Sequence, residues 1–278
     1  MRSTRRFILA AGLALGTVAT LLASNVPTSA RRVHIDVEGT ARRQPQLVDA
    51  ALSSVQPAPE DRPQVYFVGF AGYGAQGVFK REVVAVRRLF DERFGTRGRS
   101  VALINHWSTL TEVPLASVSN LDRVLHGIGG LMNADRDTLF LFLTSHGQEN
   151  LLAVEMPGFR LRNLTPQRLK TMLDDSGIKN RVIVVSACHS GSFIPDLAAP
   201  TTLVIAAARA DRTSFGCEDR RRWTYFGDAY FNRSLRHEKS FTRAFQNAKR
   251  LISLWEMRDK LLPSLPQSAG GEALARGD

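Results

Sequence analysis

The sequence is poor in the residues from which disulfide scaffolds and metal sites are built. Its 278 residues include only two cysteines, Cys188 and Cys217, and two cysteines do not form a disulfide framework. No Cys-x-x-Cys or His-Glu-x-x-His spacing occurs, which argues against a zinc site made by these cysteines with His146 and His189. A Gly-x-Ser-x-Gly motif is absent too, so the serines are weak nucleophile candidates. The sequence therefore predicts neither a metal site nor a bound cofactor.

A nucleic-acid-binding pattern is also absent, although the chain carries a net charge of +11. Its arginines are scattered along the chain, with small groups within residues 2–6, 31–43 and 220–222. Neither interleaved aromatic residues nor a helix-turn-helix pattern accompanies them. We therefore expect a solvated basic surface, with some attraction to anionic membrane lipids, and no nucleic-acid partner.

Only the first 30 residues contain a long uncharged apolar run. Three arginines within the first six residues precede the run Phe7–Ala23, and small residues follow at 28–30. This pattern predicts a signal peptide. A membrane anchor is the alternative and would associate the protein with the membrane, but a span needs roughly 20 residues. In either case we expect a periplasmic protein or one attached to the outer face of the inner membrane.

The remaining chain divides into three parts. Residues 31–62 are polar and contain prolines, which predicts a linker, and residues 263–278 are expected to form a flexible tail. Between them, residues 63–262 alternate apolar runs with helical patterns, which predicts an α/β domain with a mainly parallel sheet between two helix layers. The predicted strands are Val65–Phe70, Val101–Ile104, the run ending at Thr144, Val182–Val185 and Thr202–Ala207. Helix starts are predicted at Asn120, Thr165-Pro166 and Ser240.

Two of these strands end in residues that can carry catalysis. The run Val182–Val185 is followed by small residues and then by Cys188, and the run ending at Thr144 is followed by His146. Open α/β sheets place their chemistry beyond the carboxyl ends of parallel strands, which lie ~4.8 Å apart. The interval between the two residues allows one crossover helix, so we expect both side chains at one edge. A thiol and an imidazole in reach of each other form a nucleophile and its base.

The motifs at these strand ends resemble those of the legumain-type cysteine peptidases, the peptidase C13 family. The motifs are Thr144-Ser145-His146-Gly147 and Ser186-Ala187-Cys188-His189-Ser190-Gly191, and Thr224–Tyr230 resembles a third family segment. The resemblance runs from about Val65 to Trp255 and implies a caspase-like, three-layer α/β/α domain. It also implies a cysteine endopeptidase that acts on peptide or protein substrates without a cofactor.

The residues themselves suggest the same roles as the resemblance. Cys188 is the candidate nucleophile, and His146 is the candidate base and acid. The amides of Gly147 and Cys188 are candidates for the oxyanion hole, because glycine lets the backbone approach a substrate closely. His189 is a rival base, but adjacent residues tend to project in different directions. The supporting asparagine of the family has no clear counterpart around Gly74–Gln76.

The resemblance assigns a specificity pocket, and here the sequence departs from the family. Asp228 matches the pocket acid and Ser214 a pocket serine, while the basic position falls on Lys80 or Arg81. Ser186 stands where legumains carry a second acid. Lysine lacks the planar fork of arginine. Asparagine preference is therefore one interpretation, and aspartate or a basic side chain held by Asp228 are the others.

Two other functions stay open at this stage. The family includes the transamidase subunit that attaches lipid anchors, in which an amine replaces water as the acceptor of the acyl group. The other alternative is a non-catalytic, caspase-like binding domain, although Cys188 and His146 are both intact. Cys217 is expected to be a loop thiol outside the catalytic pair.

Overall fold

The computed structural model describes residues 35–57 and 62–274. The predicted export segment, residues 1–30, lies outside the described residues. The strands are β1 (Val65–Ala71), β2 (Ser100–Ile104), β3 (Thr138–Thr144), β4 (Gly147–Gln148), β5 (Leu151–Leu152), β6 (Asn180–Ser186), β7 (Thr202–Ala206) and β8 (Gln267–Ala269). Six of them form one sheet in the order β2-β1-β3-β6-β7-β8, in which only β8 runs antiparallel to its neighbour. β4 and β5 form a separate antiparallel pair.

Helices cover both faces of this sheet. The α-helices are α1 (Val37–Ser53), α2 (Gly77–Arg93), α3 (Val118–Gly129), α4 (Pro166–Asp175), α5 (Ile194–Leu197), α6 (Tyr225–Gly227) and α7 (Phe241–Arg258). The apolar residues of α1, α3 and α4 pack on one face of the sheet, which we call face A. Those of α2, α6 and α7 pack on the other, face B. A π-helix, Asp228–Ser234, continues α6. The predicted three-layer α/β fold is confirmed.

The parallel strands are continuous apolar runs because both of their faces are covered. Leu139–Leu143 of β3 and Ile183–Val185 of β6 are fully buried. The runs end in polar residues at the same level, because Thr144 pairs with Ser186. This register brings the chain segments after β3 and β6 to one edge of the sheet.

Two of the three helix starts predicted from the sequence are observed in the structure. The Thr165 side chain accepts from the Arg168 amide at the start of α4, and the Ser240 side chain accepts from the Arg243 amide at the start of α7. The third prediction was wrong by one turn. Ser117 caps α3 by accepting from the amide of Asn120, which lies inside the helix.

The segment predicted to be a linker contains a packed helix. Val48 of α1 is fully buried on face A. The Gln44 side-chain oxygen accepts from the Leu115 amide at 2.8 Å and from the Asn120 side chain at 2.9 Å. Only two α1 residues are buried, so the helix has a narrow apolar stripe that the sequence pattern did not reveal.

The segment predicted to be a flexible tail also contains regular structure. β8 pairs with β7, with Gln267 opposite Ala206 and Ala269 opposite Val204. Its residues are polar or small, because an edge strand is held by backbone hydrogen bonds rather than by burial. Among the residues that the structure describes, no helix is both long and apolar enough to cross a membrane.

Candidate active site

The site lies at the edge where β3 and β6 end together. The Ser145 amide donates to the Ser186 carbonyl oxygen at 3.2 Å, so the pairing of the two strands continues past their last residues. His146 and Cys188 each follow two residues after the paired Thr144 and Ser186. The structure thus brings the predicted nucleophile and base to the same edge of one sheet.

The His146 ring is held from three sides. Its Nε2 lies 2.6 Å from the side-chain oxygen of Gln76. The rings of Tyr73 and Phe79 meet it edge to face, with centroids 4.6 Å and 5.3 Å away. Because an amide oxygen accepts, Nε2 carries the proton of the neutral ring and leaves Nδ1 with its lone pair. Burial lowers the pKa of His146, with Glu155 opposing the shift.

Gln76 is a contact of the candidate base that sequence reasoning missed. It lies directly before α2 and orients His146 across 70 residues of sequence. A partner of this kind fixes both the tautomer and the direction of a catalytic imidazole. The only local sequence signal for this role is an amide side chain that lies between two glycines, directly before a helix. A glutamine amide thus contacts His146 in the region where the resemblance led us to look for asparagine.

The Cys188 sulfur lies against the segment that contains Ser214. The Ser214 amide donates to Sγ at 3.3 Å, and the Ser214 carbonyl oxygen and hydroxyl lie 3.6 Å and 3.8 Å from it. The sulfur is half-buried and is not in a disulfide. The sulfur thus contacts both a backbone donor and a backbone acceptor of Ser214, which fix its position.

Gly147 lies so close to Cys188 that only glycine fits. A Cβ at position 147 would overlap the Cys188 carbonyl oxygen and lie 3.0 Å from the Ala187 side chain. The Ala153 amide donates to the His146 carbonyl oxygen, and Leu152 exchanges both backbone bonds with Leu164. Gly147 is therefore a non-hydrogen-bonded position of the β4–β5 pair, and its N–H points away from β5. This amide is free to bind a developing oxyanion.

The Gly147→Ala variant is expected to lose roughly 100-fold in kcat. The added methyl group would overlap the Cys188 carbonyl oxygen and so shift the Gly147 amide, which is a predicted oxyanion donor. Steady-state cleavage of a fluorogenic peptide measures the loss. Gly177→Ala is the control for a glycine substitution, since a Cβ there meets nothing within 4 Å, although its φ of +72° adds some strain. Equal kcat for wild type and Gly147→Ala would remove Gly147 from the oxyanion hole.

The two rival side chains have other surroundings. His189 adopts a left-handed conformation with φ 57°, and its Nδ1 lies 2.8 Å from the Ala210 carbonyl oxygen. The ring is therefore held by the loop after β7. Cys217 is half-buried, and burial raises the pKa of its thiol, with the nearby Cys188 contributing. This thiol stays protonated at neutral pH. No three potential metal-binding side chains come together anywhere in the described ranges.

The charged residues assigned to the specificity pocket each have a partner. The Lys80 ammonium donates to the Ser108 hydroxyl at 2.9 Å, and Arg81 donates to the carbonyl oxygens of Asp219 and Arg221. Asp228 accepts from its helix neighbours Asn232, at 2.7 Å, and Arg233, at 3.4 Å. Within the described residues, no hydrogen bond or ion pair joins Asp228 to Ser214 or Lys80.

A buried carboxyl group lies beneath this part of the site. Glu82 of α2 is completely buried and accepts from the Thr144 hydroxyl at 2.8 Å. It also accepts from the Thr224 amide at 2.7 Å and the Thr224 hydroxyl at 2.8 Å. The Ser186 hydroxyl lies 3.4 Å from the same Thr224 hydroxyl. Burial is the main reason that the pKa of Glu82 is raised to about 7.

Glu82 is the second residue of this region that sequence reasoning missed. It connects the end of β3, two residues before His146, to the start of α6, which leads into Asp228. An acid is thus present close to Ser186, where legumains carry their second acid, but it comes from α2. Its sequence signal was a glutamate on the apolar stripe of α2, next to Phe79, Val83 and Val86.

Comparisons with known proteins agree with this geometry. The crystal structure of caspase-1 from Spodoptera frugiperda superposes with a TM-score of 0.54 at 12% identity, covering 77% of this chain and 92% of that chain. At this identity the likeness shows the fold alone. No curated protein matches the sequence. The model of the peptidase C13 family matches residues 120–269, which include both strand-end motifs.

Family and fold together support a cysteine-peptidase type of function, in a family that also includes transamidases. The matched residues span more than half of the chain. The chain belongs to the peptidase C13 family and has a caspase-like fold.

Proposed function

We propose that this protein is a cysteine endopeptidase in which Cys188 and His146 form the catalytic dyad. The observation that carries the proposal is the pairing of Thr144 with Ser186, which sets both residues two positions beyond one sheet edge. The Gln76 contact to His146 and the Ser214 amide at the Cys188 sulfur support it.

The first half of the reaction forms an acyl-enzyme. The Cys188 thiol gives its proton to Nδ1 of His146, and the thiolate attacks the carbonyl carbon of the peptide bond. The negative oxygen of the tetrahedral intermediate accepts from the amides of Gly147 and Cys188. As the C–N bond breaks, His146 donates the proton to the leaving amine. The product is a thioester between Cys188 and the acyl half of the substrate.

The second half regenerates the enzyme. His146 removes a proton from a water molecule, which attacks the thioester carbon. The C–S bond breaks, the acid is released, and the proton returns to the Cys188 sulfur. Because Gln76 keeps Nε2 protonated, the same Nδ1 atom serves as base and acid in both halves.

Trapping tests this proposal. The full chain is incubated with a peptide that carries a cysteine-reactive group in place of the scissile bond, and peptide mapping by mass spectrometry locates the adduct. We expect the adduct on Cys188 and a much slower reaction in His146→Ala. An adduct spread equally over Cys188 and Cys217, or none at all, would contradict the dyad. Adding a nucleophilic peptide to a cleavage assay then separates hydrolysis from transamidation by product mass.

We further propose that the residue before the scissile bond is an uncharged asparagine. The three cations closest to the assigned pocket residues, Lys80, Arg81 and Arg233, are bound to Ser108, to loop carbonyl oxygens and to Asp228. None of these three is therefore a dedicated partner for a substrate carboxylate. Hydroxyl and backbone groups around Ser214 and Thr224 suit a neutral amide.

Matched peptides that differ only in asparagine or aspartate before the scissile bond are expected to differ at least tenfold in kcat/KM at pH 7.5, in favour of asparagine. An unpaired charge in a partly buried site costs more than one power of ten in affinity. A third peptide, with lysine before the scissile bond, is expected to be cleaved slowly, because Asp228 already pairs with Arg233. Equal or better cleavage after aspartate would overturn the assignment.

A further inference from the structure

A groove lined by arginines runs along the exposed side of α2, and we call it the α2 groove. It has a volume of about 390 Å³. Its lining extends from the first turn of α2 to the last, and the helix faces another segment of the chain across it. The lining includes four arginines and two apolar side chains: Arg81, Arg88, Arg222, Arg236, Val84 and Leu89.

The two walls of the α2 groove are joined by buried hydrogen bonds. One wall is α2, and the other is the segment from Arg222 to Arg236, which contains α6 and the π-helix. Glu82 of α2 accepts from the Thr224 amide at 2.7 Å and from the Thr224 hydroxyl at 2.8 Å. These buried bonds fix the spacing between the two walls.

The lining carries more positive than negative charge. Among the described residues that line the groove, Glu92 is the one acid, and it pairs with Arg88 at 2.7 Å. The Arg88 hydrogen bond lowers the pKa of Glu92, and the charges of Arg236 and Arg97 lower it further. Arg222 and Arg236 are both exposed. With a single carboxylate against four guanidinium groups, the groove attracts anions.

We propose that the α2 groove binds an acidic segment of the protein substrate, several residues away from the scissile bond. The inference rests on the proposed peptidase function and defines the class of protein that the enzyme cleaves. Both walls begin at the active site. Gln76, which directly precedes α2, contacts His146, and the Thr224 hydroxyl in the opposite wall lies 3.4 Å from that of Ser186. A substrate chain that leaves the dyad along face B therefore enters the groove.

The length of α2 sets the distance between the acidic segment and the scissile bond. Arg88 follows Gln76 by twelve residues, which is about 18 Å along a helix. An extended chain advances about 3.3 Å per residue, so roughly six residues separate the scissile bond from the acidic segment. Glutamate or aspartate side chains at that distance meet Arg88 and the two arginines of the opposite wall.

The shape of the groove favours a polypeptide over a membrane surface. Arginines on both walls bind carboxylates between them, because the planar guanidinium group matches a carboxylate with two parallel hydrogen bonds. Val84 is 53% exposed and offers apolar surface to the aliphatic part of a glutamate side chain. A bilayer is flat on this scale and does not enter a groove between two segments of a protein.

The test compares three substrates that share one cleavable sequence and one neutral spacer. Each carries a run of glutamates, of lysines or of alternating glycine and serine, placed in turn on either side of the scissile bond. Because each exposed ion pair contributes little, we expect the better glutamate substrate to have a KM about fivefold below that of its glycine–serine counterpart. Its kcat should be the same, since binding away from the reacting atoms stabilises ground state and transition state equally. The lysine substrate should be no better than the neutral one.

Salt gives a second readout of the same interaction. The arginines of the groove are exposed, so raising the salt concentration from about 0.05 M to about 0.5 M screens their charges. We expect the glutamate advantage in KM to disappear over this range. A glutamate advantage that is independent of salt would contradict an electrostatic groove.

Two matched double variants check the location. Arg222→Gln with Arg236→Gln removes two charges from one wall and should raise the KM of the glutamate substrate to nearly that of the glycine–serine substrate. Arg123→Gln with Arg168→Gln removes the same charge from exposed positions on α3 and α4, whose apolar residues pack on face A. This control should keep the glutamate advantage. Glu92→Gln removes the acid of the groove and should lower the KM of the glutamate substrate further.

Equal KM values for the glutamate and glycine–serine substrates, or a glutamate advantage that both double variants lose alike, would overturn the proposal. Sedimentation with phosphatidylglycerol vesicles is measured in parallel. Vesicle binding that only the groove variant loses, without a glutamate advantage, would assign the groove to a membrane instead. Cleavage of all substrates with equal efficiency refutes the acidic segment alone. If none is cleaved, the proposed function fails, and fluorescence anisotropy of a labelled glutamate peptide without a cleavable sequence then tests the groove by itself.

Discussion

The Cys188→Ala and His146→Ala variants are each expected to lose at least about 10³-fold in peptide cleavage while remaining folded. Removing one member of a nucleophile–base pair costs nearly as much as removing both, because the pair acts as a unit. The double variant should therefore be no worse than either single variant. Fluorogenic peptide cleavage measures the loss, and circular dichroism with thermal melting checks the fold.

The second thiol provides the control for this experiment. Cys217→Ala removes a half-buried loop thiol with a raised pKa and should keep most of the activity. The melting temperature of the two catalytic variants is expected within about 3 °C of wild type, because each loses less than about 1 kcal/mol of packing. If a folded Cys188→Ala protein cleaved peptides at the wild-type rate, Cys188 would not be the nucleophile.

Glu82→Ala is expected to destabilise the protein by about 3 to 5 kcal/mol and to abolish turnover at 37 °C. The carboxyl group accepts three hydrogen bonds from the buried Thr144 and Thr224, and its removal leaves those donors without partners. Glu92→Ala on the same helix removes an exposed carboxylate paired with Arg88 and should change the stability only slightly. Urea denaturation measures both, and equal values would mean that Glu82 does not hold these segments together.

Glu82→Gln separates the charge from the hydrogen bonds. In the wild type the pKa of Glu82 is about 7 in the folded state against an ordinary value of 4.5, because burial disfavours the charged form and Asp228 adds repulsion. Its contribution to stability is therefore complete below pH 4.5 and is lost as the pH rises to 7. The loss amounts to about 3 kcal/mol at roughly 1.4 kcal/mol per pH unit.

Glutamine keeps the shape and cannot ionise, so the free energy of unfolding of Glu82→Gln relative to wild type should rise by about that amount between pH 4.5 and pH 8. The other titratable groups are the same in both proteins, so their contributions cancel in the comparison. A constant difference across this range would show that Glu82 does not change its charge there.

Much of the architecture could be predicted from local patterns. A strand buried on both faces must be a continuous apolar run, and a helix on a sheet must show an apolar stripe, so β1, β3, β6 and α7 were visible in the sequence. The same reasoning located the two candidate catalytic residues, because polar residues directly after buried runs fall at the carboxyl edge of a parallel sheet. Elements with little apolar periodicity could not be predicted in this way. α1 buries two residues, and β8 is held mainly by backbone bonds.

The sequence by itself thus determined the order of the strongly apolar strands and helices and the sheet edge beyond which Cys188 and His146 lie, because these depend on side-chain periodicity within short segments. Only the tertiary structure decided what surrounds the two residues. Gln76 reaches His146 across 70 residues, and Glu82 reaches Thr144 and Thr224 across 62 and 142 residues. Such contacts produce no repeating pattern in the sequence, because each is made by a single polar side chain. They form only when the sheet has brought the strand ends together.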